Sequence, residues 1–164
     1  MNRQADHYDR LPPVSVFLHA HRDGYPAAWH TDARGYSNVE SVRHLRLAAV
    51  RARGFVNLRC IWDPGCPAEI QPFRAHAKPG PKNAELAFRN AWPALFGVDV
   101  PVPLRVATPC CAQFAVSDTA VRRNPRAAYV RYRQWLLDTE LDDDTSGRIF
   151  EYLWHIIFGR GAVM

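Results

Sequence analysis

The sequence predicts an α/β domain, a small and mainly parallel sheet flanked by helices. Three stretches carry that expectation. Val14, Val16, Phe17 and Leu18 form a short apolar run stopped by Gly24 and Pro26, too few residues for a helix, so the run reads as a buried strand. A helical pattern follows from about Val39 to Arg53, with Val42, Leu45, Ala49 and Val50 recurring at helical spacing. Phe55 to Trp62 then places Val56, Leu58, Cys60 and Trp62 on one face of a second strand. Strand, helix and strand at this spacing make a βαβ unit, whose right-handed crossover sets the two strands as parallel neighbours.

The remaining elements follow in order. Tyr8-Asp-Arg-Leu-Pro-Pro13 is a Pro-rich stop that delivers the chain into the first strand. Ser37 or Asn38 caps the first long helix, and Gly54 ends it. Residues 67–82, rich in Pro and Gly, read as a loop with the character of a mobile lid. Asn83 begins a helix through about Phe96, carrying Leu86, Phe88, Trp92 and Leu95, and Pro93 is expected to kink or divide it. Pro101-Val-Pro103 rules out a central strand there, while 104–107 and 112–116 are short strand candidates. Ser117-Asp-Thr119 caps a helical turn, and Asn124-Pro125 opens a helix to about residue 138. Asp142, Asp143 and Asp144 precede a last helix over 145–158, closed by Gly159. Carboxylates before a helix N-terminus are favoured by its dipole, which accounts for them without a metal.

Composition bounds the function. The chain has 164 residues, enough for one domain, and its 48% apolar and 23% charged residues are those of an ordinary globular protein. No apolar run is long enough to span a membrane, and the polar start, Met1 to Tyr8, has no apolar region of a signal peptide behind it. The net charge of +5 comes almost entirely from arginine, since Lys78 and Lys82 are the only lysines. Arginine suits bidentate contact with phosphate or carboxylate, so an anionic ligand competes with a plain solvated surface. The basic residues are spread from Arg3 to Arg160 without aromatic interleaving, which argues against nucleic acid. For Cys60, Cys66, Cys110 and Cys111, reduced thiols, disulfides and a metal site all stay open. Cys60 and Cys66 could close a loop around the Pro64-Gly65 turn, whereas vicinal Cys110-Cys111 is a poor chelating pair.

Two clusters could carry chemistry. The first strand breaks into His19-Ala-His-Arg-Asp23, and ligands of open α/β sheets bind at the carboxyl ends of strands. His19 and His21 share a face if the strand continues, which makes them the candidate metal ligands, with His30, Asp23 or Asp32 coming round the loop to complete a site. The competing reading is histidines bonded to loop backbone beneath Trp29. In the last helix Arg148, Glu151, Tyr152 and His155 fall at i, i+3, i+4 and i+7 on an otherwise apolar surface. That polar stripe either meets solvent or lines a pocket, and it is expected to face the same crevice as the histidines.

With these residues laid out, the chain resembles the fungal domain-of-unknown-function 3431 family over nearly its whole length. The resemblance rests on Tyr8-Asp-Arg-Leu-Pro12, Val16-Phe-Leu-His-Ala-His-Arg-Asp-Gly24, Trp29-His30, Gly54-Phe-Val-Asn-Leu-Arg-Cys60, Cys110-Cys-Ala-Gln-Phe-Ala-Val-Ser117 and the run from Ser146 to Gly159. It names no function. It implies a further strand and helix ahead of Tyr8, so this single domain is expected to lack an N-terminal portion of the family fold. The family is in turn distantly similar to A-type glycosyltransferases, which would make the fold an N-terminally truncated Rossmann-like one.

In those enzymes a strand ends in Asp-x-Asp, holding a divalent metal against a nucleotide-sugar. His19-Ala-His-Arg-Asp23 departs from that pattern: either imidazoles replace carboxylates, favouring a softer metal than Mg²⁺, or no metal binds. Glu151, Asp23 and His155 are the expected catalytic groups, and Arg22, Trp29, His30, Gln113, Arg148 and Tyr152 the expected substrate contacts, with His19 and His21 at any metal. Three functions compete: a glycosyltransferase-like enzyme or remnant acting on a nucleotide-sugar, a non-catalytic sugar- or ligand-binding domain, and a structural remnant without activity.

Overall fold

A computed structural model describes residues 2–75 and 84–164. The part of the expected lid that falls on residues 76–82, and the expected helix start at Asn83, lie outside the described residues. In chain order the elements are α1 (Asn2–Asp6), β1 (Val14–Phe17), α2 (Asn38–Arg43), α3 (Leu47–Arg53), β2 (Phe55–Asn57), α4 (Ala84–Phe96), β3 (Phe114–Ser117), α5 (Asp118–Val121), α6 (Arg126–Asp138), α7 (Asp143–Glu151) and α8 (Trp154–Ile157).

Helices and sheet are mixed, but the sheet is not the parallel one expected. Its three strands run in the order β1-β3-β2, and β3 pairs antiparallel with both neighbours. β1 and β2 therefore point the same way without touching, because β3 enters between them. Burial explains the choice. All four residues of β3 are buried, whereas Val16 of β1 remains 36% exposed, so the late strand takes the centre and β1 an edge. The buried strand is β3, not β1.

The register fixes where a site can form. Phe17 and Asn57, the last residues of β1 and β2, both stand opposite Phe114, the first residue of β3. Two strand exits and one strand entry thus meet at a single sheet end. Gln113, buried there, ties them together. Its backbone carbonyl accepts from Leu58 N–H, its Oε1 accepts from His19 N–H at 3.0 Å, and its Nε2 donates to the His30 carbonyl at 2.9 Å.

Behind that end the core is aromatic. Phe114 meets Phe17, Phe55, Trp154 and Phe158 with ring centroids 4.8 to 5.5 Å apart, distances at which tilted rings attract. Helices α4, α6 and α7 close the other side through Phe88, Leu95, Tyr132 and Phe150.

Helix caps follow the sequence closely. Ser37 Oγ accepts from Glu40 N–H, Ser117 Oγ from Ala120 N–H and Asp142 Oδ1 from Thr145 N–H, each satisfying an otherwise orphaned first-turn donor. Two expected helices are instead broken. The 39–53 helix divides into α2 and α3 around His44, and the 145–158 helix divides at Tyr152 into α7 and α8. Conversely α4 runs unbroken through Pro93.

Candidate functional site

The sheet end opens into a cavity of about 420 Å³ lined by residues from four parts of the chain. His19, Trp29 and His30 come from the exit of β1 and its following loop. Cys110, Cys111 and Ala112 form the segment that leads into β3. Asp143, Asp144, Gly147, Arg148 and Glu151 come from α7, and Pro64 completes the lining.

Cys111 joins the two walls. Its carbonyl is 2.7 Å from His19 Nε2, and since a carbonyl only accepts, Nε2 carries the proton. Its N–H donates to Glu151 Oε1 at 2.5 Å. The backbone that reaches both ways has φ of 86° at Cys111 and 47° at Ala112, left-handed values that side-chain-bearing residues adopt at a cost of order 1–3 kcal/mol. A disulfide links Cys110 to Cys111, while Cys60 and Cys66 are free thiols. Burial, followed by the Glu69 charge, pushes the Cys66 thiol up.

The histidine wall is a stack. The His19 and His30 rings stack nearly parallel with centroids 4.0 Å apart, and the Trp29 ring lies 4.5 Å from His30. Desolvation, then the neighbouring His19 and Arg59, lowers His30 to about 4, so its ring is neutral near pH 7. Arg59 is 5% exposed. Its guanidinium stands over Trp29 at 4.9 Å, donates to the Asp63 carbonyl and directs Nη1 at Cys111 Sγ from 3.6 Å. Asp32 lies 4.0 Å from the same guanidinium and accepts the N–H groups of Cys60 and Ile61, so it braces the loop after β2.

That loop can dock only because Gly65 has no side chain. At φ of 133°, a Cβ there would sit 2.1 Å from the Thr108 carbonyl oxygen. The Pro64 carbonyl accepts from Cys110 N–H across the same contact.

The expected residues thus scatter over two cavities and the core. His19, Trp29, His30, Arg148 and Glu151 line one cavity. Gln113 positions two of them from beneath. His21 and Arg22 line a second, more apolar groove of about 650 Å³ with Leu18, Val39 and Val42, and His19 borders this groove as well as the first cavity. Arg22 is exposed there and pairs with Asp23 at 3.6 Å, so neither stands in the first cavity.

Tyr152 and His155 are wholly buried, because the break at Tyr152 turns the second half of the expected stripe into the core. Burial pushes the Tyr152 phenol up, and the Glu151 charge adds to it. His155 Nε2 donates to the Ala162 carbonyl at 3.1 Å, which ties it to the chain end rather than to a substrate. Among the described residues, the one cluster of three potential metal ligands is Cys110, Cys111 and Glu151, with neither His19 nor His21 in it.

The comparisons give a family and nothing more specific. A family model described as protein of unknown function (DUF3431) matches residues 4–164. The chain belongs to that family. No curated protein and no solved structure matches it. Its antiparallel sheet differs from the parallel sheet that the glycosyltransferase resemblance implies. Among its described residues no helix is long and apolar enough to cross a membrane.

Sequence reasoning missed Cys110, Cys111, Asp143, Asp144 and Gly147 as lining residues. For α7 a signal was present. Asp144, Arg148 and Glu151 stand at i, i+4 and i+7, so the polar stripe continues upstream from Glu151 rather than downstream to His155.

Proposed function

We propose that the cavity binds an uncharged saccharide, and that this DUF3431 domain is a sugar-binding module. The observation that carries the reading is the lining itself: an aromatic ring, Trp29, in one cavity with Asp143, Asp144, Arg148 and Glu151 of α7. A sugar offers an apolar ring face for an indole and hydroxyls for carboxylates and a guanidinium, the mixed chemistry that small-molecule pockets of a few hundred Å³ provide. A nucleotide-sugar fits less well. Its diphosphate would meet three carboxylates against one guanidinium, and Arg22, the other cation expected to meet it, lines the other groove.

A second reading has one observation in its favour. Glu151 and His19, a carboxylate and an imidazole, are anchored to the N–H and the carbonyl of the same residue, Cys111. Two acid-base groups held in one cavity would support hydrolysis or transfer at a bound sugar.

Calorimetric titration with neutral mono- and oligosaccharides, alongside nucleotide-sugars, tests both. The binding reading expects saturable heat from a neutral saccharide, at least tenfold weaker in Trp29→Ala, with no product formed. Product release that Glu151→Gln abolishes would replace it with the catalytic reading. Binding of nucleotide-sugars alone would contradict the uncharged ligand.

A further inference from the structure

We propose that the Cys110–Cys111 disulfide is a redox-gated metal site: once reduced, the two thiolates and the Glu151 carboxylate bind a thiophilic divalent cation of the Zn²⁺ or Cd²⁺ class. This inference rests on the cavity geometry and stands whether or not a sugar binds there.

The sequence alone gives a vicinal pair with no third ligand, and the fold supplies one. The ligand atoms of Cys110, Cys111 and Glu151 lie within 4.8 Å of one another, although Glu151 is 40 residues away in sequence. All three line the cavity, so an ion has a path in and room for a water or a small ligand at a fourth position. Glu151 is already held at the pair by the Cys111 N–H, which removes much of the ordering a third ligand would otherwise require. The buried Arg59 points Nη1 at Cys111 Sγ, and a cation beside a sulfur favours the thiolate that a metal needs.

While the sulfurs are bonded to each other they cannot serve as thiolate ligands. A dithiol reductant would open the bond in two exchanges. One reductant thiolate attacks a cysteine sulfur and releases the other as a thiolate, and the second reductant thiol then resolves the mixed disulfide. Two electrons and two protons pass to Cys110 and Cys111, and the reductant leaves as its own disulfide. Metal binding then displaces the two thiol protons. Reduction also opens the covalent ring that includes the Cys111 backbone, so occupancy of the metal site would be read by the same residue that holds His19 and Glu151.

The test uses the chain with Cys60→Ser and Cys66→Ser, which leaves only the vicinal pair as thiol ligands. Oxidised and dithiol-reduced protein, freed of reductant, are titrated with Cd²⁺ alone, following the ultraviolet thiolate-to-metal charge-transfer band. The expected result is no band before reduction, one Cd²⁺ per chain after it, and affinity at least tenfold weaker in Glu151→Gln. Cys111→Ser should remove the band. If that variant does not fold, the oxidised and reduced forms of the parent chain still decide the question. A reduced protein without the band would overturn the proposal, as would equal bands before and after reduction. Unchanged affinity in Glu151→Gln would remove Glu151 as a ligand and with it the site as proposed.

Discussion

His155 has no exposed surface, and only Nε2 has a hydrogen-bond partner. Desolvation lowers it to about 4, outweighing the Ala162 hydrogen bond that favours the protonated ring. The consequence for stability has a definite sign. Between the ordinary histidine value of 6.5 and about 4, the unfolded chain binds a proton that the folded chain refuses, so stability is full above that window and falls as pH drops through it. The loss is on the order of 2 kcal/mol by pH 4.5. His30 is shifted in the same direction and adds to the trend. Denaturant unfolding at pH 7 and pH 4.5 should therefore show a smaller pH penalty in His155→Gln than in the unaltered chain. Equal penalties would mean that His155 is not the buried neutral group described. From sequence, His155 reads as a polar member of an exposed or pocket-lining stripe. Its burial depends on where the helix breaks, which local spacing does not reveal.

At the scale of elements, α7 is the part of the site that helical periodicity made legible. The spacing that places Arg148 and Glu151 on one face places Asp144 and Gly147 there too. What hid Asp144 was a competing explanation, since acids at a helix N-terminus need no further purpose and Asp142 does cap this helix. Gly147 offers a direct handle on the element. A Cβ added there would meet nothing within 4 Å, so a larger side chain would project into open space. Leucine is also the better helix former by roughly 0.5–1 kcal/mol. Gly147→Leu should leave thermal stability equal or higher while weakening saccharide binding at least tenfold in calorimetry. Full affinity in that variant would take α7 out of the binding surface.

At the scale of the whole molecule, a strand that arrives late in the chain assembles the site. The sequence predicted β1 and β2 as neighbours because nothing between them signals a third partner. The residues that part them, Phe114 to Ser117, lie more than fifty positions downstream. Their continuous burial was visible as a short apolar run, but pairing order depends on which strand hides most from water, a comparison across the whole chain. One expectation survived that error: β1 and β2 still run the same way, so both leave the sheet at one end, and the cavity opens there. The vicinal cysteines lie at that junction with Glu151, in a combination that only tertiary structure brings together.

The proposed sugar site requires the wall after β1 and the face of α7 to contact one uncharged saccharide. A titration of ¹⁵N-labelled protein with the neutral saccharide that binds best, followed by heteronuclear correlation NMR, tests this most directly. The Trp29 indole signal and the Gly147 and Glu151 amides should shift together with one dissociation constant, while Val39 and Val42 in the second groove stay still. Shifts confined to the second groove, or to one wall of the first cavity, would contradict it.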